Sequence, residues 1–248
     1  DQIVTTKDYG SIAEIKKQAK IIGSKVYSGD DFKLTSQFRC NGSDGYISFL
    51  DHILGIRETA NYDGFDLDYD LRVFDDPSDM RNELRKLNQI NNKARMIAGY
   101  CYEWVTKNTY EEHLFDIELG NDFKAKWNFS STNTWAVDED SFEQVGCIHT
   151  SQGLEFDYVG IIIGNDMRYV DGEVITDFTK RAKSDASLKG IKSSKNHSLA
   201  DRIIRNTYKT LLSRGQKGCF IYCEDVKLRD YIKEKINMNN ERRFVESI

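Results

Sequence analysis

The stretch Cys147-Ile148-His149-Thr150-Ser151-Gln152-Gly153-Leu154-Glu155-Phe156-Asp157-Tyr158-Val159-Gly160-Ile161-Ile162-Ile163-Gly164 decides how this chain is read. It opens as a short apolar strand signal and passes through small polar residues at Thr150, Ser151 and Gly153. It closes in the β-branched run Ile161-Ile162-Ile163, the signature of a buried strand. Polar residues between two buried strands lie at a strand end, where α/β sheets place ligands. Gly153 allows φ > 0 or a close approach of backbone to ligand, and Glu155 offers an acceptor to hydroxyl groups. A plain turn between two strands has the same pattern, so a functional reading needs other stretches to converge on it.

Outward from this stretch, strand and helix signals alternate. Upstream, Ile12, Ile15, Ala19 and Ile22 have helical spacing closed by Gly23, and Lys25-Val26-Tyr27 reads as a short strand. Leu34 to Cys40 is a further strand signal, followed by the turn cluster Asn41 to Gly45. Ser43 or Asp44 then caps a helix through Ile47, Leu50 and Ile53 that Gly55 ends. Residues 58–70 are rich in Asp, Asn and Gly and read as loop. Leu71-Arg72-Val73-Phe74 alternates as a strand, and Pro77, the single proline, suits the first turn of a helix through Met80, Leu84 and Leu87. Arg95 to Cys101 is another buried strand. Phe123, Trp127 and Phe129 alternate with Lys124, Lys126 and Asn128, either a half-exposed strand or a basic-aromatic surface for single-stranded nucleic acid, the strand being the preferred reading.

Downstream, residues 166–197 carry Lys180, Arg181, Lys183, Lys189, Lys192 and Lys195 among Ser, Asp and Gly, and read as a long basic loop. Ser198, with Asp201 in the reciprocal position, caps a helix whose stripe is Leu199, Ile203, Ile204, Tyr208, Leu211 and Leu212. The helix stops at Arg214-Gly215. Gly218 to Cys223 is a buried strand, Asp225 opens a last helix through Ile236, and residues 237–248 read as a fraying tail. Strands separated by helices predict one α/β domain over residues 1–248, with a mostly parallel sheet covered on both faces.

Composition narrows the function classes. A net charge of −5 confines any nucleic-acid binding to a local basic patch. No apolar run approaches the length of a membrane span, so no membrane partner is expected. The five cysteines are scattered without a CxxC pair, which predicts reduced thiols in a cytoplasmic protein and no metal site. The N-terminus lacks both Met and the pattern of a signal peptide, so the chain reads as cut from something longer. The absence of Gly-x-Gly-x-x-Gly argues against an oxidoreductase.

Three stretches belong together: Ser36-Gln37-Phe38-Arg39, the opening stretch through Glu155, and Tyr208-Lys209-Thr210-Leu211-Leu212-Ser213-Arg214-Gly215. Arg39 and Arg214 are planar forks suited to phosphate oxygens. Their order resembles the second RecA-like motor domain of superfamily-one helicases. Ser36 to Arg39 looks like motif four, whose usual form ends Tyr-Arg. Ile148 to Val159 looks like motif five, His-x-x-Lys-Gly-Leu-Glu-Phe, with Gln152 in place of the usual Lys. Tyr208 to Gly215 looks like motif six, usually ending Thr-Arg-Ala, and Asp1-Gln2 looks like the tail of motif three. Gln37 to Asp44, Ala94 to Cys101 and Gly146 to Gly164 resemble more closely the bacterial Schlafen-group DNA/RNA helicases, a likeness that runs from Asp1 to about Tyr231.

This resemblance implies a RecA-like, P-loop NTPase-type fold without its own P-loop, residues 1–30 being a lead-in from a missing first domain. It implies that Arg39 and Arg214 reach the γ-phosphate of ATP, with Arg214 as an arginine finger, and that Gln2 senses the same phosphate. Gly153 and Glu155 would lie at the nucleotide, Glu155 on the ribose, while Thr150 and Ser151 face the nucleic-acid backbone. ATP and Mg2+ would be held mainly by the missing N-terminal RecA-like domain, since no Gly-x-x-x-x-Gly-Lys-Ser/Thr occurs here. The resulting expectation is the C-terminal half of an ATP-dependent helicase or translocase acting on single-stranded DNA or RNA. The rivals are a nucleotide-gated switch that never unwinds and a non-catalytic interaction domain on the same fold.

Overall fold

A computed structural model describes residues 12–27, 44–58, 69–107, 109, 111–120, 122–127, 134–151, 153–188, 190–191 and 196–246. Gln2, Arg39, Gln152, Phe129, Lys189, Lys192, Lys195 and the strand expected at Leu34 to Cys40 lie outside these residues.

Two helices open the described chain, α1 (Ile12–Ile21) and α2 (Asp44–Ile53). They are followed by β1 (Asp70–Val73), α3 (Pro77–Asn91), β2 (Ala94–Ala98), the short hairpin β3 (Ile117–Leu119) and β4 (Phe123–Ala125), and β5 (Val145–Gly146). Then come β6 (Phe156–Ile163), a second hairpin β7 (Met167–Val170) and β8 (Glu173–Thr176), α4 (His197–Leu212), β9 (Gly215–Cys223) and α5 (Val226–Glu246). Among the described residues the main sheet has 5 strands in the order β1-β9-β6-β2-β5, and every neighbouring pair is parallel. This is the α/β fold expected from the alternation of signals, and it is compatible with a RecA-like domain.

The sheet is buried from both sides, which is why its central strands read as continuous apolar runs. On one face α2, α4 and α5 bring Phe49, Leu50, Ile204, Tyr208, Leu211, Leu228 and Ile232 onto Val159, Ile161 and Ile221. On the other, α3 and the β3–β4 hairpin bring Met80, Leu84, Phe123 and Trp127 onto Met96, Ile162 and Phe220. Pro77 does open α3, capped by Asp76, whose carboxylate accepts from the Ser78 N–H at 2.7 Å; the helix ends at Asn92 in the left-handed region. Phe123 and Trp127 face inward, so the stretch around β4 is a strand with a buried face and not an aromatic surface.

Several local expectations are overturned. Residues 166–197 are not only a long loop with room for a short helix: beside two short 3-10 turns, at Phe178–Lys180 and Ala186–Leu188, they hold the β7–β8 hairpin. The hairpin turns on Asp171 (φ 51) and Gly172 (φ 89), the paired positive φ of a two-residue primed turn. The last helix does not stop near Ile236 but runs on to Glu246, through the stretch read as a tail. The α4 cap is Asn196, whose side chain accepts from the Leu199 N–H at 3.1 Å, and not Ser198; Asp201 instead accepts from Thr176 and Arg205. Lys25-Val26-Tyr27 forms no strand. In the stripe expected of α1, Ala19 is buried whereas Ile15 and Ile22 are 43% and 74% exposed.

Candidate functional site

Position on the sheet divides the opening stretch in two. Gly146 pairs level with Ile97, and Ile97 with Ile161, whereas Phe156 lies at the other end of β6. At ~3.3 Å per residue the crossover from Cys147 to Glu155 must therefore descend by about 16 Å. Its first turn sits beside the C-terminal ends of the strands, and its last residues sit at their N-terminal ends. The polar residues expected to share one strand end are thus placed at opposite rims.

At the N-terminal rim, β6 and β9 bring the expected nucleotide residues together. Gly153 is exposed with φ +78, and nothing described lies within 4 Å of where a Cβ would stand. Its place in the turn is therefore dictated by backbone conformation and leaves open space beside it. Glu155 is exposed and accepts from the Gln216 side-chain amide at 2.6 Å. Arg214 donates from Nη1 to the Leu154 carbonyl at 3.2 Å, and its own carbonyl accepts from the Phe156 N–H at 3.1 Å. The guanidinium is buried: Arg214 is 3% exposed. The α4 end that delivers it is pinned by two tyrosines, Tyr46 donating to the Leu212 carbonyl at 3.0 Å and Tyr69 to the Gly215 carbonyl at 3.2 Å.

β9 is bulged against β6 just after Arg214, the register passing from Phe156↔Gly215 to Tyr158↔Gly218. The bulge turns Gln216 toward Glu155 and Lys217 toward Asp157, whose carboxylate lies 2.7 Å from the Lys217 ammonium. Partial burial opposes ionisation of Asp157, but Lys217 and Asn91 prevail and hold its pKa below the ordinary value. Only glycine is accommodated at 215, because a Cβ there would stand 2.1 Å from the Gly218 carbonyl oxygen. This rim brings together an exposed carboxylate, an open glycine turn and a buried guanidinium. Among the described residues no group of three His, Cys, Asp or Glu is placed to hold a metal ion.

The C-terminal rim, the usual ligand crevice of parallel sheets, is filled. The segment after β8 crosses it and inserts Arg181, whose guanidinium lies 3.2 Å from Asp166 and 2.7 Å from Asp185. Tyr208 donates to Asp166 at 2.5 Å and accepts from the Gly164 N–H at 3.0 Å. Burial works against the Arg181 charge, but the two carboxylates overcome it and raise its pKa. Nothing in the sequence singled out this cluster; an Arg and two Asp in a polar stretch look like solvated charge.

Thr150 and Ser151 lie in the upper turn of the crossover. The Thr150 hydroxyl accepts from the Cys147 N–H at 2.8 Å and donates to the Cys147 carbonyl at 3.0 Å. Ser151, expected at a nucleic-acid backbone, is 0% exposed, and its hydroxyl donates to the carbonyls of Cys147 and Ile148. In this conformation the two hydroxyls hold the turn together, and His149 is its exposed side chain among the described residues. Arg95 is another residue whose place the sequence hid: it is fully buried in β2, donating to Ser141, Asn88 and the Asp138 carbonyl, and burial lowers its pKa to about 10.

Comparison with known proteins agrees with this geometry at the level of family. An uncharacterized protein of Saccharomyces cerevisiae, YPL245W, is 25% identical over 222 residues, which cover 82% of this chain and 48% of that protein. The chain thus spans about half the length of the curated relative it matches. No solved structure matches. The family model described as Schlafen group 3, DNA/RNA helicase domain, matches residues 1–225, a span that takes in the glycine turn, the crossover and the α4–β9 junction alike. With nearly the whole parallel sheet and both rims inside that match, the chain belongs to the Schlafen group 3 DNA/RNA helicase domain family.

Proposed function

We propose that this chain is the C-terminal motor half of an ATP-dependent DNA or RNA helicase or translocase. ATP would bind between its N-terminal rim and a first RecA-like domain that supplies the phosphate cradle and the Mg2+ site. The observation that carries this reading is the convergence of Gly153, Glu155 and Arg214 on one rim, with Arg214 Nη1 on the Leu154 carbonyl. Glu155 would accept from a ribose hydroxyl. Arg214 would turn from the Leu154 carbonyl to the γ-phosphate, where a preorganised guanidinium counters the charge that redistributes during transfer. The exposed Ile15, Ile21 and Ile22 around α1 are apolar surface that such a neighbouring domain could cover.

The same contact favours a second reading, a nucleotide-gated switch. A turn of Arg214 toward a phosphate would release the Leu154 carbonyl, so nucleotide binding would be coupled to the crossover and through it to the upper rim.

Steady-state ATP hydrolysis by the intact protein, with and without single-stranded nucleic acid, tests the motor. Arg214→Gln should lower stimulated turnover by about 10³–10⁵, the range for an arginine finger, and Arg214→Lys should recover little of it. Equal rates in wild type and variant would refute the assignment. Strand displacement by an ATP-hydrolysing protein marks the motor, and hydrolysis without displacement or translocation marks the switch. The isolated chain should show no turnover.

A further inference from the structure

The aromatic-basic surface that the sequence offered as the alternative to a strand at Phe123 and Trp127 is not formed there, since both are buried. An aromatic surface nevertheless lies next to them, above the end of β2. Tyr100 and Trp104 are half-buried and pack on the fully buried Trp127, with ring centroids 4.5 and 6.3 Å from it. The Tyr100 ring stands 6.1 Å from the ring of His149, an exposed side chain of the upper crossover turn. The exposed Lys107 places its ammonium 5.1 Å from the Trp104 ring centroid. Both rings therefore pack on Trp127 while their residues stay partly exposed.

We propose that Tyr100, Trp104 and His149 form a stacking platform for unpaired bases of single-stranded nucleic acid, with Lys107 as its phosphate contact. Rigid aromatic faces next to a cation are what sequence-tolerant single-strand binding needs, because every base has a π-face and every linkage a negative charge. Lys107 already covers a ring by a cation–π contact and would exchange it for a phosphate as a base takes its place. His149 directly precedes Thr150 in the chain, at the top of a crossover whose lower end is Arg214's partner Leu154. Occupancy of the platform and of the nucleotide rim would thus bear on one short segment. This inference rests on the nucleic-acid part of the proposed function: His149 lies in the stretch that resembles motif five and Tyr100 in the stretch Ala94 to Cys101, while Trp104 and Lys107 lie outside the stretches that carry the resemblance.

The chain itself provides the probe, since Trp127 and Trp135 are fully buried and Trp104 is not. Titration with a dodecamer of thymidylate or of uridylate should quench tryptophan fluorescence, while anisotropy of a labelled dodecamer reports affinity separately. Trp104→Phe should abolish the quench. His149→Ala, at an exposed side chain, should weaken binding about 5- to 100-fold, the range for losing one stacked base. Lys107→Ala should lower the slope of log K against log salt by about 0.7, the value for one phosphate contact on a single strand. Circular dichroism checks that each variant folds. A quench that survives Trp104→Phe, variants at Lys107 and His149 that bind with unchanged affinity and salt slope, or a duplex that binds as tightly as a single strand would each overturn the platform. Binding with those features would leave the motor reading intact. Absence of any oligonucleotide binding would overturn the platform too, and ATP hydrolysis by the intact protein would then judge the motor by itself.

Discussion

Arg181→Met removes the cation that closes the upper rim. The side chains of Arg181, Asp166 and Asp185 are 1%, 0% and 1% exposed, so none of the three charges can be rehydrated once a partner is lost. Breaking a buried ion pair by deleting one member costs about 3–5 kcal/mol, because the remaining charge is left uncompensated. Here two carboxylates depend on one guanidinium, which places the expected cost toward the upper part of that range. For a chain of this size each kcal/mol shifts the melting temperature by about 2–4 °C, so a fall of about 6–20 °C is expected. The matching control replaces both acids as well. Arg181→Met with Asp166→Asn and Asp185→Asn leaves no buried charge and still lets Tyr208 donate to residue 166. It should recover much of the loss, since exchanging a whole buried ionic group for neutral residues is often close to neutral. Thermal and urea unfolding followed by circular dichroism at neutral pH measure both variants. Hydrogen exchange should locate the change in residues 178–188, where the Ala182 N–H donates to the Tyr100 carbonyl at 2.9 Å. A single variant that melts with wild type, or a triple variant no more stable than the single one, would show that the ion pairs do not hold this rim.

Gly215→Ala should destabilise by about 1–3 kcal/mol in urea, because its Cβ meets a carbonyl oxygen of the same strand and not a side chain that can swing away; a wild-type midpoint would mean the bulge relaxes freely. Burial, together with the charge of Asp166, lifts the pKa of Glu224 above the ordinary carboxylate range against the donors Tyr102 and Asn165. The folded chain therefore holds that proton more tightly than the unfolded chain, and the associated stability is full at pH below the ordinary range and lost as pH rises through the raised value. Glu224→Gln should flatten that part of the stability profile, and an identical slope in the variant would contradict the assignment. Burial raises the thiol pKa of Cys101, Cys147 and Cys223, so in a Cys40→Ser background Ellman's reagent should react with the native chain far more slowly than in urea. Rapid labelling of the native chain would show that these sites open to solvent.

What the amino-acid sequence determined by itself is what depends on neighbours in the chain. The apolar runs at Arg95 to Ala98, Ile161 to Ile163 and Gly218 to Cys223 could only be strands covered on both faces, and the helical stripe through Tyr208 and Leu211 could only pack on them. Pro77 and Gly153 were legible because one fixes φ and the other frees it. The hairpin β7–β8 was legible in principle: Asp171-Gly172 stands between Tyr169-Val170 and Val174-Ile175, a primed-turn signal outweighed by the count of lysines around it.

The tertiary structure alone decided which polar residues meet. Arg181, Asp166 and Asp185 look like surface charge along the chain, and they become a buried cluster because the segment after β8 folds back over the sheet. Arg214 and Glu155 were legible as residues to watch. Their shared rim, and the buried side of Arg214, follow from β6 and β9 being adjacent and parallel, with the bulge setting their side chains side by side. The separation of Thr150 from Glu155 has the same origin, since the height of the sheet between β5 and the start of β6 is a long-range property that no local window of sequence contains.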